Sequence, residues 1–294
     1  MFGVEFLMRN QIWNPPVRVH KKKTDDCDAT VKIITSHDVH LRLFSPNTTT
    51  TLKNYGGSRL VIYFHGNSED LESCDAYLCW LAQHLDQNVL GVDYVGYGRS
   101  SGEHETTEVN MCDAADACLH FATHDLQHKI NTVTIIGRSL GSIPAVYLCS
   151  QRRNAGLGGL ILISTLASGA RCLLPCAYVP NAILNSLDGL FGPNLQRISE
   201  VQCMILFIHG DKDVQVSLEN SRVLMDKCNR WCDAELYVVK GGTHNNLSDL
   251  HGKEIIRKMK AFVEESSETS RLRSGDEQAQ TPYETTPYES LIDF

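Results

Sequence analysis

The sequence predicts an α/β fold: a mostly parallel central sheet, helices on both faces and a short cap insert. Three observations carry this. Short apolar, often β-branched runs recur along the chain, as in strands buried on both faces. Stretches with helical periodicity alternate with them, the pattern of a parallel sheet with crossover helices. One run, Val133–Ile136, leads through Gly137-Arg138-Ser139-Leu140-Gly141 directly into an apolar stretch, Ile143–Ser150. That tight strand–turn–helix pattern, G-x-S-x-G, belongs to open α/β sheets.

The elements follow in order. Residues 1–30 read as a lead-in containing the extended segment Trp13-Asn14-Pro15-Pro16 and the basic turn Lys21-Lys22-Lys23. Val31–Thr35 and Val39–Phe44 alternate, which predicts a hairpin of two strands about His37-Asp38. Leu60–Phe64 is a buried strand running into His65-Gly66-Asn67-Ser68, with Ser68 or Asp70 placed to cap a helix over about 71–84. Asn88–Tyr94 is the next strand. The glycine-rich Tyr94–Gly102 after it lacks the spacing of a phosphate loop and reads as a turn shaping a pocket rim. Thr106–His124 is an amphipathic helix.

Leu160–Ile163 and Met204–Ile208 are further strands, and Glu235–Val239 is the last. Helices are predicted over Leu218–Cys228 and from about Leu250 to Glu264. Between the strands Leu160–Ile163 and Met204–Ile208, about 166–195, lies an apolar stretch broken by Pro175, Pro180, Gly189, Gly192 and Pro193, which reads as a cap over a site. One domain therefore spans 31–265. Beyond it, residues 266–294 are rich in Ser, Glu, Thr and Gln and predict a disordered tail carrying a Thr-Pro-Tyr-Glu repeat.

Composition narrows the function. The chain has 294 residues, 42% of them hydrophobic, which suits one sizeable core. A formal net charge of −8 gives no reason to expect a nucleic-acid partner. No apolar run is long enough to span a bilayer, and the first residues lack the features of a signal peptide, so a cytoplasmic protein is expected. The 11 cysteines read as reduced thiols, not a disulfide framework. Cys172/Cys176 and Cys228/Cys232 lack partners at zinc spacing, so neither a metal nor a cofactor is expected.

Ser139 lies in a turn too tight for side chains at its flanking glycines. Its backbone should be strained and its hydroxyl exposed. A serine hydroxyl is a weak nucleophile and needs a base, which in turn needs an orienting acid. His244 and Asp213 both lie just past predicted strand ends, where such sheets place their sites. Their order, Ser139, Asp213, His244, is that of the α/β hydrolases. Asp211 competes for the acid role, and Asp213 is preferred because it lies further out in its loop. The backbone N–H groups of Leu140 and Asn67 are the expected oxyanion donors. The other histidines lack such placement.

His65-Gly66-Asn67-Ser68-Glu69-Asp70-Leu71, Asp93–Gly102 and Gly137–Pro144 resemble the alpha/beta hydrolase domain-containing protein 17 family. Ser168-Gly169, His209–Asp213 and Gly242–Leu247 extend the resemblance over about residues 30–265. It implies an α/β-hydrolase fold and a membrane-facing thioesterase that removes palmitate from protein cysteines. It also implies Ser139, Asp213 and His244 as the triad. One departure concerns the membrane. Family depalmitoylases begin with a cluster of acylated cysteines, whereas the first cysteine here is Cys27, alone. Phe2, Phe6 and Trp13 beside the lysines at 21–23 leave a weak, salt-sensitive contact with anionic membrane surfaces as the expectation.

The leading expectation is therefore a serine hydrolase acting on an S-acylated protein or another acyl ester. A carboxylesterase or lipase, a serine peptidase and a catalytically silent scaffold are the alternatives. The intact Ser139, Asp213 and His244 argue against the scaffold.

Overall fold

A computed structural model of the chain describes residues 15, 26–33, 37–47, 50–52, 55, 59–173, 179–189, 191–229 and 232–274. The lead-in before Asp26, apart from Pro15, and the segment from 275 onward, with its repeat, lie outside the described residues.

Eight strands form one sheet in the order β1-β2-β4-β3-β5-β6-β7-β8. They are β1 (Asp28–Lys32), β2 (Asp38–Phe44), β3 (Leu60–Phe64), β4 (Asn88–Val92), β5 (Val133–Arg138), β6 (Gly159–Ile163), β7 (Ile205–Gly210) and β8 (Ala234–Val239). β2 pairs antiparallel with β1 and β4, and every pairing from β4 through β8 is parallel. The first strand begins three residues before the predicted Val31, because Asp28 is already in register opposite Arg42.

The central strands β3 to β7 are buried along almost their whole length because both faces are covered. Leu60, Ile62 and Phe64 join one core with Val133, Ile135, Leu160, Leu162, Ile205 and Phe207. The alternate residues Val61, Tyr63, Ile136, Ile161, Ile163, Leu206 and Ile208 join the other. Successive side chains of a strand point to opposite faces, so an unbroken apolar run demands helices on both sides. Helices α2 (Glu108–His120), α3 (Ser142–Ser150) and α7 (Glu219–Lys227) cover the first face. Helices α1 (Asp75–Leu85) and α8 (Leu247–Ser274) cover the second. The short helices α4 (Gly169–Leu173), α5 (Asn181–Leu187) and α6 (Asn194–Arg197) lie in the 166–195 stretch.

Two helix boundaries differ from expectation. α1 starts at Asp75, not Leu71, because residues 71–74 form a separate turn. Asp70 and Ser73 exchange side-chain hydrogen bonds there, and the Leu71 N–H is taken by Asp93 Oδ1 at 2.9 Å. At the other end α8 runs ten residues past the predicted Glu264, with a local break at His251. Its buried stripe of Ile255, Ile256, Met259, Phe262 and Val263 continues as Ser266, Ser267 and Ser270. Serine is what fits: a Cβ on Gly159 would lie 2.7 Å from Ser266 Oγ, and Ser270 Oγ donates to Gly156 O at 2.7 Å. Apolar periodicity stops where the interface narrows, but the helix does not.

Candidate active site

The parallel strands end at one edge of the sheet, and four of the loops there meet. They follow β3, β5, β7 and β8 and carry Asn67, Ser139, Asp213 and His244 respectively.

Ser139 has φ +50° and opens a short turn, Ser139–Gly141, that runs into α3. The turn is tight at both glycines: a Cβ on Gly141 would meet Phe64 O at 2.2 Å and one on Gly137 would meet Gly141 O at 2.6 Å. A left-handed serine is strained by roughly 1–3 kcal/mol and persists because β5 and α3 hold both ends. The Ser142 hydroxyl donates to Ser139 O at 2.7 Å and fixes the first turn of α3. Ser139 as a residue is only 8% exposed, and it lines a cavity between the flanking loops and the cap-region residues Leu166, Gly169, Cys172 and Phe191.

Ser139 Oγ lies 3.0 Å from His244 Nε2, and His244 Nδ1 lies 2.7 Å from Asp213 Oδ2. A carboxylate only accepts, so Nδ1 carries the proton and Nε2 accepts from the serine hydroxyl. Asp213 is buried and heavily bonded. Its Oδ1 accepts the N–H groups of Gln215 at 3.0 Å and Val216 at 2.8 Å. Burial alone would raise its pKa, but hydrogen bonds from His209, His244 and the Val216 backbone outweigh it and hold the carboxyl well below its ordinary range. Asp211 is exposed and accepts the N–H of Gly241, in the loop after β8, at 2.7 Å.

Sequence reasoning missed three residues. His209 is fully buried beneath Asp213, with Nε2 donating to Val216 O at 2.8 Å and lying 3.4 Å from Asp213 Oδ2, and with Nδ1 at 2.7 Å from Ser221 Oγ. Its signal was a histidine in phase with the core residues Ile205 and Phe207. Arg138 and Glu69 form an ion pair at the cavity wall. A charged residue, Arg138, at the last position of a buried strand was the available clue.

The cavity has a volume of about 610 Å³. Its lining mixes the polar Asn67, Glu69, Arg138, Gln215 and Asn245 with the apolar Leu140, Leu166, Cys172, Phe191 and Val216. Leu140 and Asn67 line it together with Ser139. The 166–195 stretch contributes Leu166, Gly169, Cys172 and Phe191; residues 174–178 and 190 lie outside the described set. The glycine-rich turn does not line the cavity as expected. It lies behind it, where Tyr97 donates to Asn67 Oδ1 at 2.8 Å and Tyr94 to His65 O at 2.7 Å. Among the described residues no group of three or more His, Cys, Asp or Glu side chains could hold a metal ion.

A family model described as serine aminopeptidase, S33, matches residues 58–198. Human alpha/beta hydrolase domain-containing protein 17B is 30% identical over 223 residues, covering 74% of this chain and 68% of that protein. Protein aho-3 of Caenorhabditis elegans, also an alpha/beta hydrolase domain-containing protein, is 27% identical over 212 residues, 72% of this chain and 59% of its own. Among solved structures, the Pyrococcus furiosus esterase Pf2001 superposes with a TM-score of 0.64 at 17% identity, over 86% of this chain and 97% of that one. Est1E of Butyrivibrio proteoclasticus with bound ferulic acid gives 0.62 at 18%, over 81% and 99%. At such identities the structural likeness speaks to the fold alone.

Proposed function

Because the chain belongs to the alpha/beta hydrolase domain-containing protein 17 family, and is thereby a hydrolase, we propose that it is a serine hydrolase of acyl thioesters that removes long-chain acyl groups from protein cysteines. The observation that carries this is the continuous hydrogen-bonded line from Ser139 through His244 to Asp213.

The chemistry follows from that line. His244 Nε2 takes the Ser139 proton as Oγ attacks the thioester carbonyl carbon. The tetrahedral oxyanion is held by the backbone N–H groups of Leu140 and Asn67. Its collapse breaks the C–S bond, and the imidazolium returns the proton to the departing cysteine thiolate. Water, deprotonated by the same imidazole, then cleaves the acyl-serine ester to release the fatty acid. Asp213 keeps the tautomer and stabilises the imidazolium without taking its proton.

The cavity supports an acyl substrate. Its volume is in the range of small-molecule sites, and its lining includes the apolar Leu140, Leu166, Phe191 and Val216. An aminopeptidase needs an available carboxylate for the substrate ammonium. The carboxylate in this lining, Glu69, already accepts from Arg138 and from Gly66 N–H. That favours an uncharged acyl group over a peptide N-terminus.

A chain-length series of S-acyl and O-acyl substrates, with an aminoacyl amide for comparison, tests the proposal. kcat/KM should rise with acyl length, each buried methylene adding up to about 0.8 kcal/mol, and thioesters should exceed esters. Ser139→Ala should lose on the order of 10³-fold or more in rate while remaining folded. A preference for acetyl esters would point instead to a carboxylesterase, and a preference for the amide to a peptidase. Full activity of Ser139→Ala would remove the mechanism.

A further inference from the structure

Arg138 occupies the variable position before Ser139, and its guanidinium reaches two other loops. Nη1 donates to Glu69 Oε1. Nη2 donates to Asn245 Oδ1 at 2.8 Å and lies 3.5 Å from His244 O. Glu69 continues the chain of contacts: its Oε2 accepts the Gly66 N–H at 2.7 Å, one residue before Asn67. A single ion pair thus joins the loop with the expected oxyanion donor, the nucleophile turn and the loop of the base. Its side chains are only 17% and 26% exposed, so it is shielded from the solvent screening that weakens surface pairs.

The surroundings are shaped for it. A Cβ on Gly66 would stand 2.9 Å from Glu69 Oε2 and 3.1 Å from Arg138 Nη1, so the pair packs against bare backbone. Arg138 meets the demand for several directed donors from one planar group, which a lysine ammonium does not. Burial works against its charge, but the neighbouring Glu69 carboxylate helps offset that, and the net shift is upward.

We propose that the Arg138–Glu69 pair is a positioning clamp for catalysis, setting the Asn67 and His244 loops in register with Ser139 at the same time. The proposal rests on the serine-hydrolase reading above. The physical reason is that both loops are irregular. The base and the oxyanion donor must each lie within a fraction of an ångström of the reacting atoms, and a 1 Å error can cost about 10²-fold.

The test uses the full chain and a chromogenic short-chain ester. Active sites are counted by fluorophosphonate labelling, so that kcat is expressed per labelled serine. Arg138→Met should lower kcat about 10- to 100-fold with KM nearly unchanged. Arg138→Lys should recover only part of the loss. Glu69→Gln and Asn245→Ala act on opposite arms of the guanidinium and do not share a partner otherwise. If Arg138 couples them, their losses in kcat combine non-additively, and they become additive in the Arg138→Lys background. Should Arg138→Met not fold, the Lys variant and this cycle carry the decision. Arg138→Lys and Glu69→Gln both within about twofold of wild type in kcat, a loss confined to KM, or strictly additive losses would each overturn the clamp. The hydrolase reading fails separately, if the wild-type chain is not labelled or Ser139→Ala hydrolyses the ester normally.

Discussion

Two aspartates in one loop, Asp211 and Asp213, separate by what their carboxylates touch. Asp213 is buried, accepts two backbone N–H groups and faces both His244 and His209. Asp211 bonds a glycine N–H at the surface. Under the proposed mechanism Asp213→Asn should lose on the order of 10⁴-fold in kcat, since an amide invites the wrong imidazole tautomer. Asp211→Asn keeps an acceptor for Gly241 and should lose far less. Steady-state kinetics on both folded variants decides it, and a larger loss for Asp211→Asn would reverse the assignment. Serine itself shows why the residue scale is not enough. The strain at Ser139 is visible only as a backbone angle, and its hydroxyl meets its base only because residues 105 apart in sequence converge.

At the scale of elements, the antiparallel edge is tied to the sheet by one buried histidine. His40, on β2, lies between Asp93 Oδ2 at 2.9 Å and Asp28 Oδ1 at 3.1 Å. Asp28 also meets Arg99 and Arg42, and Asp93 accepts Leu71 and Arg99 N–H groups and lies 3.8 Å from His65. Burial pulls the His40 pKa down, but hydrogen bonds and charge attraction from Asp28 and Asp93 outweigh it, so the net shift is upward. A raised folded-state pKa means the stabilisation is complete below the unfolded value of about 6.5 and is lost as pH rises through the folded value. Urea unfolding of wild type and His40→Gln should therefore show a gap of about 1.5–3 kcal/mol at acidic pH, narrowing above neutrality. A gap that is constant or widens with pH would contradict this.

On the scale of the whole molecule, the closing helix joins ends of the fold that are far apart in sequence. Ser270 bonds Gly156, 114 residues earlier, and Ser266 packs on Gly159. A chain ending at Glu265 should melt several degrees below one ending at Ser274, because buried backbone and serine contacts are lost. Equal melting temperatures would show that residues 266–274 contribute nothing. Membrane contact belongs to this scale too. No helix among the described residues is long and apolar enough to cross a bilayer. We propose that residues 1–23 give weak, salt-sensitive binding to anionic surfaces, each lysine contributing about 1 kcal/mol near the surface. Removing them should reduce sedimentation with anionic vesicles without changing hydrolysis of a soluble ester. Undiminished binding by the shortened chain would refute it.

The strands, the mostly parallel sheet and the strand-end positions of Ser139, Asp213 and His244 were legible in the chain itself. These are local matters: an apolar run buried on both faces, a glycine pair about a serine, a polar residue after a strand. The order of the strands, the cavity, the pairing of Arg138 with Glu69, the place of His209 under Asp213 and the extension of α8 past Glu264 were decided only by tertiary structure. Arg138 and Glu69 are 69 residues apart, and nothing near either one names the other. The serine stripe of α8 is polar by composition and buried by contact, because the backbone at Gly159 comes too close for larger side chains. Local pattern encodes backbone conformation and which face is covered. Which charges meet, and which hydroxyl is enclosed, depends on distances between segments that only the packed molecule sets.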